Sequence, residues 1–121
     1  MLRGVRGATT VEQNDRSVIL ERTAELLNEL VAANHIRTED IGAVIFSATP
    51  DITAAFPAAA ARTIGWTEVP LFDAQQIDCD TGLPLCIRVL VLWNTDTDQR
   101  SICHIYLNGA QVLRPDLVKG K

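Results

Sequence analysis

The chain has 121 residues, enough for one hydrophobic core and too few for two ordinary ones, so a single domain over residues 1–121 is expected. Hydrophobic residues make up 47% of it, which excludes a disordered chain, and 11 basic against 15 acidic residues leave a formal charge of −4, which argues against a broad nucleic-acid-binding face. Cys79, Cys86 and Cys103 are odd in number, form no C-x-x-C pair and follow no apolar leader. The runs "AVIF" and "VLVLW" are far short of a membrane span. A soluble, cytoplasmic protein with neither nucleic acid nor membrane as partner is expected.

"LRGVRGATT" reads as a first strand ending at Gly7. In the segment that follows, Ile19, Thr23, Leu26, Leu27, Leu30 and Val31 recur at helical spacing, while Glu21, Arg22, Glu25 and Glu29 fall largely on other faces. That spacing predicts an amphipathic helix of about five turns, with Asn14 or Asp15 as its N-cap and Asn34 near its end. "AVIFSAT", residues 43–49, suits a buried strand. "FPAAAARTIG" has proline near a helix start and glycine past its end, which predicts a short helix from about Pro57 to Ile64. "EVPLF" suits an edge strand because Pro70 cannot donate to a ladder. "CIRVLVLWN", residues 86–94, is the strongest strand signal, and Asn108-Gly109 between two β-like runs predicts a hairpin.

The order implies an α+β fold, with helices on one face of a mixed sheet. A sheet this apolar, with one long helix to cover it, should bury its other face against further copies of itself. A homo-oligomer is expected.

Arg88 is the most informative residue. It interrupts an apolar strand, where a guanidinium requires a partner: either a structural ion pair or an anionic ligand. Arg6, Arg62 and Arg114 share apolar or turn settings; each alone reads as a surface residue, but together they allow a compact site for carboxylates, which arginine binds in planar, bidentate fashion. Tyr106, the only tyrosine, is either an amphipathic core residue or a ligand. His35 and His104 share no ligand spacing, and neither has a serine or cysteine neighbour, Cys103 included, in a motif that would suggest a nucleophile and base. Ser47 and Cys86 lack activating motifs, and the glycines form no phosphate-binding loop. "DAQQIDCDTG", residues 73–82, reads as a solvated loop, a metal site or the wall of a pocket. The metal reading fails, because a calcium loop starting at Asp78 would need glutamate where Val89 stands.

With these fragments placed, "RGVRGATTVE", "SATPDITAAFPAAAAR", "LPLCIRVLVLWNTD" and "HIYLNGAQVLRPDL" resemble, in order and spacing over nearly the whole chain, the AroH class of chorismate mutases. The resemblance implies a mixed five-stranded sheet packed on one long helix. It also implies a trimeric pseudo-α/β-barrel with active sites between adjacent subunits. The implied enzyme is an isomerase of the shikimate route that rearranges chorismate to prephenate, without cofactor or metal, on the way to phenylalanine and tyrosine. It further implies that Arg88 faces the substrate's ether oxygen and a carboxylate, and that Arg6 and Tyr106 bind a carboxylate. Phe56 and Arg62 would come from the neighbouring subunit, Leu113 and Arg114 from a closing C-terminal segment, and Phe72, Asp73, Ala74, Gln75 and Gln76 would form the remaining wall.

The chain departs from the family pattern where Gln76 stands for the usual glutamate, which accepts a hydrogen bond from the ring hydroxyl. It departs again where Asp73 stands for a small or thiol side chain, and where Ala59 stands for a lysine found in some members. Gln76 can still accept through its amide oxygen but supplies no charge. The paired change points to a carboxylate relocated to Asp73. In a regular strand residues 73 and 76 face opposite ways, so this relocation requires the irregular backbone that Pro70 and the polar residues after it permit. Two other readings stand beside the enzyme: a non-catalytic binder of chorismate-like dicarboxylates, and a structural oligomer in which Arg88 has an internal acidic partner.

Overall fold

The computed structural model describes residues 1–117. Five strands, β1 (Leu2–Thr10), β2 (Ile41–Ala48), β3 (Leu71–Gln75), β4 (Cys86–Asn94) and β5 (Ile105–Tyr106), form one sheet in the order β3-β2-β4-β1-β5. Helices α1 (Arg16–Asn34) and α2 (Ala58–Thr63) complete the α+β fold. β4 is central and antiparallel to both β1 and β2, while β3 and β5 add at the edges in parallel. Pro70 immediately precedes edge strand β3, where its missing N–H costs no ladder bond, and its carbonyl accepts from Val44 N–H.

α1 starts where the Asp15 carboxylate accepts the N–H groups of Ser17 and Val18, and it stops at His35, whose left-handed φ of 58° turns the chain out. Asn14, the other candidate cap, instead binds the loop before α2: its Oδ1 accepts from Thr53 and Ala54 N–H, both at 3.0 Å. Leu26, Leu27 and Leu30 of α1 join Val5, Val44, Phe46, Val89 and Val91 in the main core, each contributing about 1.5–3 kcal/mol by burial. Gly7 makes this packing possible. A Cβ there would stand 3.0 Å from Leu26 Cδ1 and 3.0 Å from the Ile105 carbonyl oxygen, so helix and β5 both approach β1 closely.

Strand alternation sets the two faces apart. Val5, Val44, Phe46, Ile87, Val89, Val91 and Trp93 are buried beneath the helices, whereas Arg6, Ile45, Phe72 and Arg88 are exposed on the face that no helix covers.

Two expectations are corrected. β1 continues past Gly7 to Thr10, because every residue of it pairs with β4, down to Thr10 opposite Cys86. Asn108-Gly109 does not turn a hairpin: β5 has only two residues, and Asn108–Leu113 is a 3₁₀ turn. Asn108 does adopt φ 54°, as that turn would demand. Its side chain donates to Thr9 Oγ1 and Gly109 N–H donates to Thr10 Oγ1, both at 2.9 Å, so the segment docks on the end of β1 instead of pairing with a later strand.

Candidate active site

Cross-strand register builds the first half of the site on the uncovered face. Tyr106, Ala8, Arg88, Ser47 and Ala74 form one row across the five strands, and Arg6, Leu90, Ile45 and Phe72 form the next. Ala8 is small and lies between Arg88 and Tyr106, whose strands are about 10 Å apart, so two long side chains converge over it. Arg6, Ser47, Arg88, Leu90 and Tyr106 line a hollow of about 210 Å³. Arg88 is exposed, and among the described residues neither it nor Arg6 forms an ion pair with a carboxylate. The internal acidic partner required by the purely structural reading is therefore missing from residues 1–117.

Neighbouring groups extend the cationic cluster. His104 Nδ1 accepts the Arg6 backbone N–H at 3.0 Å, which requires that nitrogen to be unprotonated. Burial, then the positive charges of Arg6 and Arg114, hold this imidazole below its ordinary pKa. Arg114 is gripped by Asp116 in a two-pronged contact, Nε to Oδ1 at 3.1 Å and Nη2 to Oδ2 at 2.9 Å. The Asp116 contact, with a smaller contribution from Tyr106, raises the Arg114 pKa and places its guanidinium beside the same tyrosine. Burial pushes the Cys86 thiol up, against the pull of the adjacent Arg88, so it stays neutral and is no nucleophile.

The second half lies under the other side of the sheet, around the start of α2. Phe56, Pro57, Ala59, Asp73, Ala74, Gln75 and neighbouring residues line a cleft of about 540 Å³, and Phe56 is 70% exposed at its edge. Asp73 Oδ1 accepts the Ala58 N–H at 3.1 Å. Burial raises the Asp73 pKa, while the Ala58 N–H and the Arg62 charge act in the opposite direction. Arg62 lies in the last turn of α2.

The expected wall of residues 72–76 is thus split. β3 is regular, so Asp73 and Gln75 face the Phe56 cleft, while Phe72 faces the uncovered side with Arg88. A bond from Gln76 N–H to the Ala48 carbonyl, 2.8 Å, carries the ladder one residue further and sets Gln76 on the Arg88 face. Its side chain lies beneath the 77–84 loop in a hollow of about 320 Å³ with Thr49, Pro50 and Asp51, and its buried Oε1 has no hydrogen-bond partner among the described residues. The irregular backbone needed for Asp73 to replace Gln76 within one chain is absent. Leu113 closes the 3₁₀ turn that leads to Arg114, and residues 118–121 lie outside the described region.

Sequence reasoning missed Asn14, Thr49, Asp51 and His104 as supports of these halves. Asp and Thr flanking a proline in "ATPD" were a turn signal that could have marked two of them.

The α+β sheet gathers arginines and a tyrosine on its open face, and among the described residues there is no cluster able to hold a metal. Among the described residues, too, no helix is long and apolar enough to cross a membrane. The family described as chorismate mutase type I matches residues 2–117. Chorismate mutase AroH of Thermus thermophilus is 51% identical over 118 residues, covering 97% of both chains. Its counterpart from Bacillus subtilis is 47% identical, over 97% of this chain and 93% of that one. The solved chorismate mutase of Clostridium thermocellum superposes with a TM-score of 0.88 at 46% identity, over 90% of this chain and 97% of that one. The chain belongs to the type I chorismate mutase family.

Proposed function

We propose that this chain rearranges chorismate to prephenate, at sites completed between subunits of a homotrimer. The observation that carries the reading is the division of the site. The hollow of about 210 Å³ that holds Arg6, Arg88 and Tyr106 is small for a ligand of this size, and the roomier Phe56 cleft lies on the opposite face. Neither half suffices alone. Laying the Phe56 side of one subunit over the uncovered face of the next joins them and covers the exposed Ile45 and Phe72. A head-to-tail contact closes into a ring when its rotation divides a full turn, and the family resemblance supports three members.

The chemistry fits these residues. Chorismate carries two carboxylates, and its rearrangement breaks an ether C–O bond while a C–C bond forms, so negative charge grows on the ether oxygen. The reaction requires no nucleophile or general base, only a folded conformer and a cation where the charge develops. Arg88 supplies that cation. Arg6, Tyr106 and Arg114 hold the carboxylates, and Phe56, Ala74, Gln75 and Leu113 shape the wall, with Phe72 and Arg62 at its margins. Gln76 reaches the ring hydroxyl once its side chain turns out of the hollow beneath the 77–84 loop, where its buried Oε1 has no donor among the described residues.

Asp73 enters this site from the neighbouring subunit, in the Phe56 half, while Gln76 enters from the Arg88 half. The carboxylate lost at position 76 is thereby replaced across the interface. A role in phenylalanine and tyrosine synthesis follows from the substrate, and the cytoplasm is the compartment proposed for it.

Loss of chorismate absorbance with purified protein tests the reading. Arg88→Ala is expected to lower kcat by at least about 10²–10³-fold, the usual cost of removing one preorganised charge-stabilising group. Binding of a bicyclic transition-state mimic without turnover in the parent supports the non-catalytic alternative. Light scattering is expected to give a trimer, and a monomer refutes interfacial sites.

A further inference from the structure

We infer that Thr49 and Asp51, in the turn that follows β2, are positioning residues for Arg88. The inference rests on Arg88 being the electrostatic catalyst, as proposed above. β2 ends at Ala48, and Thr49 is the first residue beyond it, opposite Cys86 at the start of β4. A regular antiparallel pair would exchange two backbone bonds here. One is present, from Thr49 N–H to the Cys86 carbonyl at 3.0 Å. Pro50 and Asp51 turn the chain away, and the return bond from Cys86 N–H goes instead to the Thr49 hydroxyl, at 3.0 Å.

That hydroxyl in turn donates to Asp51 Oδ1, and Asp51 Oδ2 accepts the Leu85 N–H at 2.9 Å. The clasp therefore fixes two consecutive residues, Leu85 and Cys86. Leu85 has φ 48°, a left-handed conformation that costs a leucine about 1–2 kcal/mol and persists only when held. Its carbonyl accepts the Val11 N–H at 2.9 Å, so the ends of β1, β2 and β4 meet at this one residue pair. Thr49 is 6% exposed, which shields these bonds from competing water.

Arg88 follows Cys86 by two residues and shares its face of the strand. Arg6 and Tyr106, by contrast, are placed by β1 and β5. The clasp thus sets where the cation stands relative to the carboxylate-binding groups. The rest of β4, Ile87–Trp93, is paired on both sides, so loss of the clasp loosens the Leu85–Cys86 end that borders Arg88 and shifts its side chain while the sheet persists. Misplacing a catalytic group by about 1 Å can cost about 10²-fold.

The test measures chorismate turnover, per folded oligomer by circular dichroism and light scattering, for Thr49→Val, Thr49→Ser, Asp51→Asn and Arg88→Ala. Thr49→Val, which keeps the shape and removes the hydroxyl, is expected to lower kcat by at least about tenfold with KM within about threefold. Thr49→Ser is expected to restore kcat to within about threefold of the parent, with Asp51→Asn in between. A folded Thr49→Val with kcat within about twofold of the parent, or a Thr49→Ser as impaired as Thr49→Val, overturns the inference. Should Thr49→Val fail to fold, Asp51→Asn decides: unchanged kcat overturns it, and a fall in kcat at steady KM supports it. Turnover retained by Arg88→Ala overturns the underlying reading instead, which separates the two failures.

Discussion

Asp73→Asn removes one charge and keeps an oxygen able to accept the Ala58 N–H, which now bonds Asp73 Oδ1 at 3.1 Å. Burial pushes the Asp73 carboxyl above the ordinary carboxylate range, and the Ala58 N–H and Arg62 only partly offset it. Folding therefore favours the protonated form. Its stabilising contribution is complete below the unfolded carboxylate pKa of about 4 and fades as pH rises through the raised folded value. At neutral pH the parent bears the cost of a half-buried charge that the amide does not. Asp73→Asn is expected to match or exceed the parent's urea midpoint at about pH 7.5, with the difference shrinking toward about pH 4. Asp73→Ala also strips the acceptor from the Ala58 N–H, and is expected to cost about 1–3 kcal/mol.

Activity should move the other way. A hydrogen bond from substrate to a charged acceptor is worth about 1.5–3 kcal/mol, so either substitution is expected to lower kcat/KM by about tenfold to a hundredfold. The assay is chorismate consumption at saturating and limiting substrate, alongside urea unfolding of the same preparations. Asp73→Asn with kcat/KM within about twofold of the parent refutes the relocated carboxylate. A lowered urea midpoint for Asp73→Asn at neutral pH refutes the argument from burial.

In the Asp73→Asn background, Gln76→Glu is expected to recover at least about tenfold in kcat/KM, because it returns a carboxylate to the same hydroxyl from the other subunit. No recovery means that the two positions do not share a ligand. In the parent background the same substitution places two carboxylates together, and one must ionise less readily, so the pH profile of kcat/KM is expected to shift its acidic limb upward. Gly7→Ala would press a Cβ against Leu26 and the Ile105 carbonyl, each 3.0 Å away, and is expected to destabilise by about 1–3 kcal/mol in urea unfolding. Unchanged stability would show that α1 and β5 can back away from β1.

Much of the fold was legible because local chemistry and tertiary demand agree. The apolar spacing from Ile19 to Leu30 is the buried stripe of α1, and the run from Cys86 to Asn94 is the central strand, with the expected bounds. Asn108-Gly109 shows where such agreement ends. Its φ preference was met, yet the hydroxyls of Thr9 and Thr10, about a hundred residues away in sequence, captured the segment before it could pair as a hairpin.

The sequence by itself determined the family, the helix-covered sheet and the residue types of the proposed anion site, because these follow from motif order and from periodicities of about two and 3.6 residues. Only the tertiary structure decided which of those residues share a surface. Register across five strands brings Arg6, Arg88 and Tyr106 together, and the regularity of β3 sends Asp73 and Gln76 to opposite faces. The polar stretch from Asp73 to Gly82 is consequently neither one wall nor one loop. Its first carboxylate is bound to the N-terminus of α2 and Gln76 points to the uncovered face, because side chains on a pleated strand alternate whatever chemistry they carry.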